Sequence, residues 1–448
     1  MIMKKPIVIL GAGESGTGAA ILAKQLGYAV FVSDKSPIQP AFKTILEAQG
    51  IPYEEGTHTM STILNAREVI KSPGIPEKTE VMKAIRAKGI HVIGEIEFGA
   101  RHAGKCTLIA ITGSNGKTTT TRLVHHLLQH GGLDARMGGN VGISFAELVA
   151  NDLRNGRTDD EKRIFVLETS SFQLDDIDKF RPKIAVLLNI TPDHLDRYDY
   201  QMANYVRSKF RITMNQKRGD WLITNGDDPE IQQFLALNPD AVSCKMDQIK
   251  STDLKNGYVR VGQKMNFDVS STSLQGPHNR FNAACAIRIA LRLGMDQMTI
   301  EEGLYHFTPP PHRMEKVAEQ NGIVYINDSK ATNVDSVFYA LQSMDRPTVW
   351  IVGGTDKGND YSVLMPHVEK RVKAIVCMGL DNSKIIAAFK HFQKPMVETQ
   401  SAEAAVKAAT DLAVPGDAVL LSPACASFDL FKNYEQRGDL FREAVLNL

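Results

Sequence analysis

No stretch of this sequence approaches the ~18 consecutive apolar residues that a membrane-spanning helix needs. The apolar run Ile184–Ile190 is only strand-sized. An excess of charge of one sign is also missing. The 52 Lys+Arg face 51 Asp+Glu, unlike the basic footprint of a protein held by nucleic-acid phosphates. Cysteine is scarce: Cys106, Cys244, Cys285, Cys377 and Cys425 are scattered and form no CxxC pair. That pattern argues against a disulfide frame and a structural zinc site, and fits reduced thiols packed in a core. The opening MIMKKPIVILGAG has only a short apolar run, so no secretory signal is expected. The expectation is a cytoplasmic protein without a membrane span or nucleic-acid partner, and by default a monomer.

What the chain does contain is α/β punctuation. Its 448 residues allow about three domains. Three apolar strands run into Gly-containing loops: IVILGAGESG from Ile7, LIAITGSNGKTT from Leu108, and VWIVGGTDKG from Val349. Each would open a ligand site at the C-terminal end of a strand. Further strands are expected at Ala29–Asp34, Glu68–Gly74, His91–Gly94, Ile164–Glu168, Ile184–Asn189 and Trp221–Asn225. The third unit adds IVYIND, AIVCMG and AVLLSPA, and a hairpin is expected around Gly262–Gln263. Helices are expected over Asn282–Leu293 and Tyr434–Asn447. The three prolines in FTPPPHRME cannot continue a helix and mark a domain boundary. A softer boundary falls near Gly94–Gly104. The expected domains are 1–94, 95–308 and 309–448.

The chemistry-bearing motifs follow the strands. Gly11, Gly13 and Gly16 fit GxGxxG, with Asp34 eighteen residues beyond Gly16. Such glycines let the backbone turn tightly and approach a pyrophosphate. Gly113, Ser114, Asn115, Gly116, Lys117, Thr118 and Thr119 form a stronger phosphate loop, although Ile111 stands where the strict pattern has Gly. Backbone N–H groups can hold phosphate oxygens, Lys117 can neutralise the β/γ charge, and Thr118 can ligate Mg²⁺. Glu168 ends a neighbouring strand, and Asp193, His194 and Asp196 follow another; carboxylate and imidazole at one sheet edge suit Mg²⁺. Lys209, in YVRSKFRIT, reads on its own as a solvated helix charge. Asn279 and Asn282 can cap the following helix or read an adenine edge, and the cap is the simpler expectation. In the last third, Asn327–Asn333, Gly353–Gly358 and Ser422–Asp439 form three polar strand-end loops, as a second substrate site would need.

Taken in order, GSNGKTT, LETSSFQL, TPDHLDRY, PHNRFNAA, PPHRME, NDSKATN, GGTDKG and SPACASFDLFKNYEQRGD resemble the Mur ligases of peptidoglycan synthesis over essentially the whole chain. SSFQL and SPACASFDLFKNYEQRG resemble the D-glutamate-adding branch of that family. The resemblance implies a Rossmann-like UDP-binding domain, a central P-loop ATPase domain with a parallel sheet, and a Rossmann-like C-terminal domain that closes over them. It implies ATP-dependent amide formation between UDP-N-acetylmuramoyl-L-alanine and D-glutamate through an acyl phosphate. Glu14, Ser15, Asp34, Lys35, Ser36, Ser72, Gly74 and Asn140 fall at the family's UDP-substrate positions. The resemblance implies that Lys117 stabilises the transferring phosphate, that Thr118 and Glu168 hold one Mg²⁺, and that His194 belongs to a second. Lys209 matches a lysine that the family carbamylates. By the same resemblance Asn279 and Asn282 are expected to meet the adenine, Arg313 the phosphates and Asp328 the ribose, and Lys330, Thr332, Lys357, Ser427, Phe428 and Tyr434 to line the D-glutamate end. Thr355 stands where some members have Asp, a contact that Asp356 can take.

Three other readings compete. A nicotinamide oxidoreductase built on GAGESG leaves GSNGKTT and the last third unexplained. A nucleotide switch needs a guanine-reading Asn-Lys-x-Asp loop, which is absent. A folate-polyglutamate type of ligase is opposed by the first Gly loop and by SPACASFD.

Overall fold

The computed structural model describes residues 5–157, 161–274, 276–309, 311–356 and 358–448. Each apolar run that ends in a Gly loop is a buried parallel strand, as strands covered on both faces should be. The first sheet holds β1 (Ile7–Leu10), β2 (Val30–Asp34), β3 (Tyr53–Glu55), β4 (Glu68–Lys71) and β5 (Val92–Gly94) in the order β3-β2-β1-β4-β5. Its pairs are parallel. The order reverses between β1 and β4, so the Gly11 loop opens at a topological switch point, where α/β sheets bind ligands.

The second sheet holds β6 (Thr107–Thr112), β7 (Ala135–Gly139), β8 (Ile164–Glu168), β9 (Ile184–Leu187), β10 (Trp221–Asn225) and β11 (Lys245–Ile249). Its order is β11-β10-β9-β6-β8-β7, parallel throughout. The phosphate loop therefore leaves β6 with the ends of β8 and β9 on either side. The expected hairpin is present as β12 (Tyr258–Val261) and β13 (Met265–Asp268). The third sheet holds β14 (Glu315–Gln320), β15 (Ile323–Asn327), β16 (Thr348–Gly353), β17 (Val372–Met378), β18 (Met396–Thr399) and β19 (Ala418–Ala424). It runs β14-β15-β19-β16-β17-β18, and only the β14–β15 pair is antiparallel. The final helix spans Tyr434–Leu446.

Contacts divide the chain into two compact units, Met1–Thr272 with Asn279–Phe307 and Ser273–His278 with Thr308–Leu448. The first two sheets share one apolar cluster that includes Ile9, Leu22, Phe98, Phe145, Phe165 and Leu187. Small residues make this possible. A Cβ on Gly18, in the helix Glu14–Gln25, would lie 1.9 Å from Ser144 Oγ, at the start of the helix Phe145–Arg154. Polar clamps add to it. Glu97, fully buried, accepts from the backbone N–H groups of Asp178, Lys179 and Phe180 at 2.9, 2.8 and 2.7 Å. Lys71 pairs with Asp176 at 2.9 Å, both buried. Among the described residues no helix is long and apolar enough to cross a membrane.

Glu95 gives this first unit a pH signature. One carboxyl oxygen accepts from Ala146 N at 2.5 Å; the other is buried without a hydrogen-bond partner. Burial pushes its pKa up to about 8, from an ordinary 4.5. The folded state therefore holds a proton that the unfolded chain releases above the ordinary value. The stability this contributes is complete below about 4.5 and is lost as pH rises through about 8. Glu95→Gln imitates the protonated carboxyl. It should melt within about 2 °C of the parent at pH 4.5 and roughly 3 °C or more above it at pH 9. Parallel melting curves at both pH values would refute this.

Candidate active site

The phosphate loop is built by backbone conformation. Gly113 (φ +152°) and Gly116 (φ +85°) take angles that other residues rarely adopt. A Cβ on Gly116 would also meet Asn282 Oδ1 at 2.8 Å. Gly116 is the N-cap of the helix Lys117–His130, so the helix's first N–H groups and positive dipole end face the loop. Neighbouring strand ends brace it. Asn189, just beyond β9, accepts from Asn115 N at 2.8 Å and donates back to Asn115 O at 3.1 Å. Ser114 Oγ bonds the backbone of Thr191 in both directions at 2.9 Å. Asn189 was not singled out from sequence; its position directly after an apolar strand was the only signal.

Two lysines converge on one carbonyl. Lys117 Nζ donates to Gly113 O at 2.9 Å and to Ser114 O at 2.8 Å. Lys209 Nζ donates to the same Gly113 O at 2.8 Å. Lys209 is 1% exposed, which corrects its reading as a solvated helix charge. The helix Met202–Phe210 turns it inward with Tyr205, whose ring lies 4.5 Å from the ammonium. Burial, and then the charge of Lys117, depress its pKa well below that of an ordinary lysine. Two ammonium groups on one acceptor are hard to keep ionised together, and the buried one yields.

Beside this pair stands Glu168, 3% exposed at the end of β8. Its Oε1 accepts from Asn140 Nδ2 at 2.9 Å, while its Oε2 is buried without a hydrogen-bond partner. Asn140, placed by resemblance at the UDP substrate, is thus also bonded to the side chain that would face a metal. Thr118 is buried in the first turn of the loop helix. His194 adopts a left-handed backbone (φ +52°), with its ring edge-on to Phe172 and Nε2 3.5 Å from Asp193. Among the described residues no three His, Cys, Asp or Glu side chains gather as a metal cluster. Magnesium needs fewer protein ligands than that, since it keeps water and phosphate.

Asn279 and Asn282 are not caps. The helix begins at Pro277, so both lie one turn apart inside it, with Asn282 Nδ2 3.3 Å from Asn279 Oδ1. Asn282 is buried against Gly116, at the phosphate loop.

Of the positions that resemblance assigns to the UDP substrate, Asp34 and Ser72 lie against the first Gly loop, whereas Asn140 follows β7 in the second sheet. Asp34 accepts from Ala12 N at 2.7 Å and from Ser36 N at 2.8 Å. Ser72, beyond β4, donates to Gly11 O at 3.4 Å. Glu14, Lys35, Ser36 and Gly74 are exposed, Ser15 half-buried. Gly74 O and Pro73 O accept from Arg197 at 3.1 and 3.2 Å.

In the other unit, Asp328 is buried after β15 and accepts from Ser422 Oγ at 2.8 Å and from Met314 N at 3.2 Å. Burial pushes its carboxyl up to about 7, against the pull of Ser422 and Arg313. Lys330 lies 4.9 Å above the Tyr434 ring. Thr332 N donates to Lys330 O at 2.9 Å. Ser427 is buried and Phe428 is 70% exposed. Thr355 and Ala426 exchange backbone hydrogen bonds. Asp356 accepts from Tyr361, Gly358, Asn359 and Lys384. Lys357 lies outside the described residues.

Three family models match the chain: a Mur ligase MurD-like N-terminal domain over 5–94, a Mur ligase middle domain over 111–290, and a Mur ligase glutamate ligase domain over 312–425. It is similar to the UDP-N-acetylmuramoylalanine–D-glutamate ligase of Christiangramia forsetii, 50% identical across 100% of both chains. It is 47% identical to the enzyme of that name from Cytophaga hutchinsonii, again across 100% of both. Among solved structures, the UDP-N-acetylmuramate–alanine ligase of Thermotoga maritima superposes with a TM-score of 0.60 at 17% identity, covering 99% of this chain and 100% of that one.

Proposed function

The chain belongs to the Mur ligase family, and we propose how its residues divide the work of adding D-glutamate to UDP-N-acetylmuramoyl-L-alanine. It is an ATP-dependent carbon–nitrogen ligase of peptidoglycan-precursor synthesis. The observation that carries the mechanism is the convergence of Lys117 and Lys209 on Gly113 O, beside the buried carboxylate of Glu168.

A carboxylate acylates poorly until one oxygen becomes a leaving group. The alanine carboxylate of the UDP-sugar attacks the γ-phosphorus of ATP and ADP leaves. The D-glutamate amine then attacks the acyl phosphate carbonyl, phosphate leaves, and the amine loses a proton. The protein's part is positioning and charge neutralisation. The loop Gly113–Thr119 offers its N–H groups to the phosphates, and Lys117 swings from its own loop carbonyls onto the transferring phosphate. Thr118 and Glu168 hold Mg²⁺, for which the partnerless Glu168 oxygen is a fitting hard donor. Magnesium, when bound, draws charge from the phosphate oxygens. His194 and Lys209 belong to a second magnesium site. Lys209 would serve it as a carbamate: its neutral amine adds to CO₂ and releases a proton, which turns an uncharged amine into an anionic, carboxylate-like donor.

Asn279 and Asn282 read the adenine, Arg313 the phosphates and Asp328 the ribose. Glu14, Ser15, Asp34, Lys35, Ser36, Ser72, Gly74 and Asn140 hold the UDP-sugar. Lys330, Thr332, Lys357, Ser427, Phe428 and Tyr434 form the D-glutamate end, where lysines and hydroxyls suit two carboxylates. The domains are 1–94, 95–308 and 309–448, and the nucleotide substrates place the enzyme in the cytoplasm.

The decisive assay is phosphate release from ATP and Mg²⁺ with UDP-N-acetylmuramoyl-L-alanine, across D-Glu, L-Glu, L-Ala and a diamino acid. Release only with D-Glu, and a product heavier by one glutamate residue, is expected. Release with another amino acid would overturn the assignment of the C-terminal loops. Within the same assay Ser427→Ala should raise KM for D-glutamate about tenfold and KM for ATP less than about twofold. Equal shifts would place Ser427 elsewhere.

A further inference from the structure

The helix Tyr434–Leu446 carries a cation that the reaction scheme leaves unused. Arg437 is 1% exposed. Its Nε donates to Ser329 Oγ at 3.0 Å and its Nη2 to Ser329 O at 2.8 Å. Nη1 reaches Cys425 O at 3.3 Å and Gly353 O at 3.5 Å. These acceptors follow β15, follow β19 and end β16. One guanidinium therefore ties together the loops that carry Lys330 and Thr332, Ser427 and Phe428, and Thr355. Ser329 Oγ passes the linkage on, donating to Tyr434 O at 2.8 Å.

Stability alone is a poor account of this residue. No carboxylate oxygen lies within ion-pair distance of Arg437 among the described residues. Burial pulls its pKa down to about 10. An apolar side chain of similar volume would fill the space at a lower desolvation cost. One of the segments it grips is also locally unfavourable. Ala424, a non-glycine residue directly before Cys425, has φ +62°. Such backbone persists only where its surroundings fix it. A planar fork with five donors can fix three carbonyls and a hydroxyl at once; an ammonium group cannot.

We propose that Arg437 is the positioning residue of the acceptor amino-acid site, holding three strand-end loops in the register that binds the two carboxylates of D-glutamate. This rests on the assignment of Lys330, Thr332, Ser427 and Tyr434 to D-glutamate made above.

The test varies each substrate in turn for Arg437→Lys, Arg437→Met and Ser329→Ala, with melting curves alongside. KM for D-glutamate should rise in the order parent, Lys, Met, by about tenfold or more in the Lys variant. KM for ATP and for the UDP-sugar should stay within about twofold. Ser329→Ala, which removes one of the four acceptors of Arg437 together with the bond to Tyr434 O, should show a smaller shift of the same kind, and it carries the test if the Met variant does not fold. Equal rises in all three KM values, or an unchanged KM for D-glutamate in folded Lys and Ser329→Ala variants, would overturn the proposal. Failure of the underlying assignment looks different: Ser427→Ala, with Arg437 intact, would then raise the KM values for D-glutamate and ATP equally.

Discussion

Lys117→Ala is expected to lower phosphate release by about a thousandfold or more, the loss that follows removal of a preorganised charge from a developing phosphoryl transition state. Nothing adjacent can replace it. Lys209 reaches the same carbonyl, but it is buried and driven toward its neutral form. The loop itself should survive. Gly113 O keeps its bond from Lys209, and Asn189 and Ser114 still brace the turn. The melting temperature should therefore move by about 3 °C or less. The substitution also removes one of the two influences that depress Lys209, so a metal site that needs a neutral Lys209 suffers too. The double variant Lys117→Ala/Lys209→Ala should consequently be little worse than Lys117→Ala alone, because the two residues act as a unit. A Lys117→Ala enzyme within tenfold of the parent rate would remove the loop from the reaction.

The phosphate loop was legible because its evidence is local: an apolar strand, two glycines and a Gly-Lys-Thr order opening a helix. The strand ends that flank it were legible too, since β8 and β9 are near-continuous apolar runs. Edge strands were not. Lys245–Ile249 and Glu315–Gln320 are mostly polar and at best half-buried apart from Ile249, so neither period nor hydrophobicity marks them. Contacts between distant segments were illegible for a different reason. Lys209 meets Gly113 across 96 positions of sequence, and Arg437 meets Ser329 across 108. In the sequence each is one more charge on a mixed helix; only the packing of that helix against a strand-end loop gives it a function. Asn279 and Asn282 failed in the opposite direction. Asn before an apolar stretch is a sound cap signal, but Pro277 is itself a good first helical residue and starts the helix earlier.

Lys209→Ala is expected to cost about a hundredfold or more in phosphate release, and to regain part of it when acetate or another short carboxylate is added. A buried lysine that served only as a structural cation would be a poor choice here. Its ammonium meets a carbonyl already taken by Lys117, and burial works against its charge. As a neutral amine it can add CO₂, and the resulting carbamate brings an anion where a magnesium ligand is wanted. The sign of the pH dependence follows. Lowering the pH through the depressed pKa of Lys209 protonates the amine and removes the carbamate, so activity should fall on the acid side and recover with added bicarbonate. An independent readout needs no turnover: protein equilibrated with ¹³C-bicarbonate should show a carbamate carbon resonance that disappears in Lys209→Ala. Undiminished activity in the variant would defeat the assignment. So would a parent enzyme with no such resonance whose variant is not rescued by carboxylates; Lys209 would then act as an amine, holding Gly113 O in place for Lys117.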